Sequence, residues 1–131
     1  MKKVAALFLL FITFSSCHKV TYLRDTLTSH SWQITKWYEN EIDKTRPCSI
    51  DDIYTFYPND SFSLNTSDLI CFAGEHQTYP GSWEMTPDEK RMNLLYDTHN
   101  LTFNILTLNS DKLEITYQED SVSNRIIFIP K

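Results

Sequence analysis

Four histidines, a pair of adjacent carboxylates and three cysteines are the side chains of this 131-residue chain with chemistry open to them. His18, His30, His76 and His99 are scattered, with no i, i+4 pair that would bring two imidazoles to one zinc ion. Asp51 and Asp52 have the right atoms to hold a cation together with Glu75 or Asp97. Paired carboxylates ahead of a strand more commonly cap backbone amides or stay in water, so no metal site is expected. Asp88-Glu89 and Glu119-Asp120 are turn charges. The chain has no Gly-x-Ser-x-Gly, no His-Glu-x-x-His and only two glycines, Gly74 and Gly81, too few for a loop that cradles phosphate. No catalytic residue and no cofactor is expected, and the chain does not read as an enzyme.

The cysteines divide into one and two. Cys17 follows a short positive segment, Lys2 and Lys3, an apolar run over 4–14, and the small residues Ser15 and Ser16. That run is too short for the roughly 18 residues that span a bilayer, and its order is that of a secretory leader. Ending on a cysteine, it resembles a bacterial lipoprotein signal, in which the cysteine becomes the first mature residue and carries acyl chains; Phe14 stands where such signals most often have Leu. The expected organisation is a leader over 1–16, a lipid-anchored tether over 17–26 and one domain over 27–131. Each buried acyl methylene adds about 0.8 kcal/mol, so several chains make Cys17 a lasting anchor to the lipid bilayer. Cys48 and Cys71 remain, and an even number in an exported, oxidising setting reads as a disulfide.

Loss of Lys2 and Lys3 with the leader leaves ten basic against seventeen acidic residues, a net charge of −7. That balance argues against nucleic acid or an anionic membrane surface as a partner.

The elements that must position these groups are strands. "SWQITKWYE" (31–39) alternates Trp32, Ile34 and Tyr38 against polar neighbours, the period of two of a half-buried strand, with Trp37 out of step. Further strands are expected over 52–58, 61–65, 81–86, 91–96, 100–108, 112–117 and 125–130, joined by turns rich in Pro, Asn and Asp and by a connection over 119–124. Only 27–30, with Asp25 and Thr26 as caps, suits a helical turn. Eight short antiparallel strands in hairpin order favour an all-β, up-and-down barrel, whose closure removes exposed edges.

The succession "SHSWQI", "CSIDDIYTFYPNDSFSLN", a second Cys in the next loop, "GSWEM" and "NILTLNSDKLEITY" resembles the lipocalin-like domain of anchored lipoproteins in some Gram-negative bacteria. Lipocalins proper have Gly-x-Trp on the first strand, and here His30 replaces the Gly. The resemblance implies a location at the outer membrane, and a Trp stacked beneath an Arg at the closed end, for which Trp32 and Arg125 are the matching candidates.

Eight strands enclose room for side chains or for one small ligand. Trp32, Tyr38, Phe56, Phe62, Trp83, Tyr96, Phe103 and Tyr117 all fall on the inner face by pattern, which would fill much of the lumen. The connection 66–80 is unusually long for a compact domain and carries Leu69, Ile70, Phe72 and Tyr79. These residues suit either a lid over a ligand or a plug pinned by Cys71 to Cys48. The expected ligand-binding set is Leu69, Ile70, Phe72, Tyr79 and Trp83, taking a small apolar molecule or peptide. A protein-interaction module, such as a lysozyme inhibitor or a subunit of an envelope complex, is the alternative.

Overall fold

A computed structural model describes residues 22–75 and 77–131. The expected leader, the lipidation site Cys17 and His76 lie outside the described residues. The described residues form α1 (Leu23–Thr28) and nine strands, β1 (Ser31–Glu39), β2 (Ile42–Asp43), β3 (Ile53–Phe56), β4 (Ser61–Asn65), β5 (Thr78–Met85), β6 (Arg91–Tyr96), β7 (His99–Leu108), β8 (Leu113–Glu119) and β9 (Val122–Pro130). From β3 to β9 each strand pairs antiparallel with the next, and β1 pairs with both β3 and β9. The result is the expected closed, eight-stranded up-and-down barrel. The ninth strand, β2, is a two-residue hairpin arm on β1, outside the ring.

Alternation builds the core. Phe62 and Leu64 on β4, Met92 and Leu94 on β6, and Leu113, Ile115 and Tyr117 on β8 are buried, with more exposed residues between them. Every buried apolar side chain among the described residues lies between Leu27 and Phe128. The closed ring and this core both lie within residues 22–131.

Several local expectations need correction. The connection after β8 is only Asp120-Ser121, both at positive φ (47° and 68°), so β9 starts at Val122 and not at 125. Two consecutive left-handed residues match the right-handed twist of the flanking strands. Asn40 and Glu41 do the same between β1 and β2 (φ 48° and 64°). On the other side, β5 reaches back to Thr78 through Pro80, shortening the long loop to 66–77.

In β1, a bulge between Ile34 and Lys36 shifts the register against β9. A bulge adds one residue and so reverses which face follows. Trp37 therefore packs on the core, and Tyr38, expected inside, lies outside beneath the Arg125 guanidinium at 4.1 Å. Arg125 also bonds Glu41 and Glu114 on that outer surface.

One end of the barrel is closed. The helix spans 23–28, so residues 23–26 of the expected tether are folded, and its Leu27 is wholly buried. Trp32 donates from Nε1 to the Leu27 carbonyl at 2.8 Å, with His30 edge-on to its ring. The expected pair of Trp32 and Arg125 does not form. An Arg over a Trp is present, but it is Arg24 of α1 over Trp83, 4.6 Å from the ring centroid. The Arg24 guanidinium also donates to the Pro58 carbonyl and pairs with Asp60, tying the helix to the β3–β4 turn.

Candidate functional site

The opposite end is open. Between the β1–β2 hairpin, the loops 44–52 and 66–77 and the β6–β7 and β8–β9 turns lies a cavity of about 510 Å³. Its floor is apolar and aromatic: Tyr54, Leu64, Leu101, Phe103, Tyr117 and Ile126. These side chains come from β3, β4, β7, β8 and β9, all facing inward by the period of two. Tyr79 and Tyr96 form one wall, with ring centroids 6.1 Å apart, and His99 stacks on Tyr96 at 5.0 Å. Trp37, brought inside by the bulge, completes the upper wall, its indole N–H donating to Asn124 Oδ1 at 3.0 Å.

The rim is charged, with five carboxylates, Glu39, Asp52, Glu75, Asp97 and Glu119, against Lys44 and Arg46. His99 Nδ1 lies 3.6 Å from Glu119 Oε1. Asp52 is buried, about 8% exposed, immediately ahead of β3, and its Oδ1 has no hydrogen-bond partner among the described residues. Burial, then the charges of Glu75 and Asp51, push its carboxyl up to about 7. Burial likewise raises the phenols of Tyr54 and Tyr117 above their ordinary value and Tyr96 to about 12, so the cavity wall carries neutral hydroxyls across the physiological range.

The loop 66–77 is held over one side of the mouth. Cys48 and Cys71 form the expected disulfide, with Cα atoms 5.3 Å apart. Asp51 takes the cap role anticipated for the carboxylate pair, accepting the Leu69 N–H at 3.3 Å while its own carbonyl accepts the Ser67 hydroxyl. Glu75 Oε2 accepts the Cys71 N–H at 2.8 Å. Asp52 takes no such role.

Of the five residues expected to bind ligand, Phe72 and Tyr79 line the cavity. Leu69 and Ile70 sit on the outer side of the loop, 52% and 57% exposed, and are not part of the lining. The loop neither plugs the barrel nor buries its apolar residues. Trp83 lies at the closed end, buried, donating from Nε1 to the Tyr57 carbonyl and packed edge-on against Phe56. Its place is structural. The lining residues that pattern reasoning missed include Trp37, hidden by an unreadable bulge, and Asp52. The second had a signal, because in "DIYTF" Asp52 shares the face of Tyr54 and Phe56. Among the described residues no group of three His, Cys, Asp or Glu is placed to hold a metal ion.

Comparison with known proteins agrees with this architecture. A crystal structure of a DUF4847 family protein from Bacteroides vulgatus superposes with a TM-score of 0.58 at 12% identity, covering 82% of this chain and 96% of that one. At that identity the likeness concerns the fold. No curated protein matches the chain. The model of the lipocalin-like domain matches residues 29–115, from the approach to β1 as far as Ile115 in β8. With two thirds of its length in that match and a closed antiparallel barrel open at one end, the chain belongs to the lipocalin-like domain family.

Proposed function

We propose that this chain is a binding protein whose barrel takes one small, largely apolar ligand at its open end, carried on an envelope lipoprotein anchored at Cys17 in the outer membrane. The observation that carries the binding role is the cavity itself. Its volume falls within the roughly 300–1,000 Å³ of small-molecule sites, and it combines an aromatic floor with a few polar groups at the mouth. The anchor is supported by the order of Lys2, Lys3, the apolar run and Cys17. Membership of a family of binding barrels supports a role without catalysis.

The cavity is tested with N-phenyl-1-naphthylamine, which is uncharged at neutral pH and brightens in apolar surroundings. Titrated with residues 22–131 it should give a saturable rise at one site, and Leu101→Trp, which fills the floor, should abolish it. A linear, unsaturable response in the wild type, or an unchanged response in the Trp variant, would remove the cavity as a binding site.

A further inference from the structure

The feature left unexplained by a purely apolar ligand is Asp52. Buried polar atoms are nearly always hydrogen-bonded, and one that is not marks a partner missing from the picture. Asp52 Oδ1 is such an atom, as is Oδ1 of the neighbouring Asp51, and Asp52, more than nine-tenths buried, borders the cavity. Its charge is as poorly served as its lone pairs. Among the described residues the charged groups acting on it are Asp51 on its own loop and Glu75 on the loop above, both acidic, and none is a cation. Lys44 and Arg46 border the same mouth but neither forms an ion pair with it. A buried carboxylate without a counter-charge is costly, and a positive group arriving beside it recovers that cost. The aromatic rings below it favour the same visitor, because a cation above a ring face is attracted by the ring's negative quadrupole.

Resting on the reading of the cavity as a ligand site, we propose that the ligand is a small amine, its apolar body among Tyr54, Phe103 and Tyr117 and its ammonium paired with the carboxylate of Asp52. The apolar and aromatic floor of the cavity suits an organic cation. The ammonium would supply both the missing donor and the missing charge. The tyrosine hydroxyls stay neutral and offer further acceptors around it.

The test compares two probes of one shape, 2-(2-naphthyl)ethylamine and 2-(2-naphthyl)ethanol, by titration calorimetry with residues 22–131 and with Asp52→Asn, at pH 8 and pH 5.5. The wild type at pH 8 should bind the amine at least about tenfold more tightly than the alcohol, a difference worth about 1.4 kcal/mol. Asp52→Asn should bring the ratio close to one. At pH 5.5 the Asp52 carboxyl is protonated and the wild-type ratio should shrink. To remove the effect of every other titratable group at the mouth, His99 among them, the ratio in Asp52→Asn is read at both pH values and subtracted. If the alcohol binds as well as the amine in the wild type, the cavity stands and the amine does not. A preference that survives Asp52→Asn overturns the role of this residue, and if that variant fails to fold, the same pH comparison made with His99→Gln decides the matter, a ratio equal at both pH values counting against Asp52. Failure of both probes to bind would remove the cavity reading together with the amine.

Discussion

Replacement of Asp52 by Asn should make the folded barrel more stable at pH 8, although it deletes a charged side chain ahead of a core strand. The carboxyl goes from about 3.8 in an unfolded chain to about 7 in the barrel. Below about pH 4 both states are protonated and the group contributes nothing to the balance. Between the two values the native state keeps a proton that the unfolded chain has released, so stability falls as pH rises, and above about 7 the whole penalty is present. A shift of that size corresponds to about 4 kcal/mol in a site closed to water. Because Asp52 borders a cavity that opens to solvent, screening brings this to about 1–2 kcal/mol. Asn carries no charge and should escape that penalty, at the smaller cost of an incompletely bonded amide. Urea unfolding of residues 22–131 at pH 5 and pH 8, followed by tryptophan fluorescence, reads the effect directly. Asp52→Asn should exceed the wild type by about 1–2 kcal/mol at pH 8, and the gap should shrink to less than half of that at pH 5. A variant less stable than the wild type at pH 8, or a gap independent of pH, would refute the reasoning that this carboxylate is held unpaired against its charge.

Replacing both Cys48 and Cys71 by Ser opens a loop of 23 residues' separation and should cost about 3 kcal/mol in the same assay, with faster proteolysis within 66–77; a loss under about 1 kcal/mol would show that the other contacts of the loop suffice. Gly81→Ala should cost about 1–3 kcal/mol, because a Cβ there would lie 2.2 Å from the Leu95 carbonyl oxygen and 2.8 Å from Tyr96 Cβ, forcing β5 and β6 apart; an unchanged midpoint would show that the ladder yields freely.

The fold was legible because a barrel is written in a short code: the period of two in "SFSLN" and "RMNLLY", with turn residues between, places side chains inside or outside without knowledge of any partner strand. The code fails where the count of residues changes. The bulge after Ile34 depends on how β1 meets β9, ninety residues away, and it exchanged Trp37 for Tyr38 on the inner face. Pro80 concealed the first half of β5, because proline lacks the ladder donor and reads as a break, yet it pairs with Ser63 in the sheet. Of the candidate site, Phe72 and Tyr79 were visible as apolar residues in a long loop. Leu69, Ile70 and Trp83 shared that apolar character, and only the tertiary fold separates the outer side of a loop and the closed end from the lining. The pairing of Arg24 with Trp83 was beyond local pattern, since it depends on where α1 docks on the barrel.

The helix that docks there also decides which way the molecule looks. Leu23 to Thr28 lie across the shut base, so the polypeptide enters the barrel from below, on the side away from the rim. With acyl chains on Cys17, the five residues to Tyr22 reach at most about 18 Å, a short leash attached to the base. On the anchor proposed above, that point of entry would bring the shut base, and not the lip, next to the lipid.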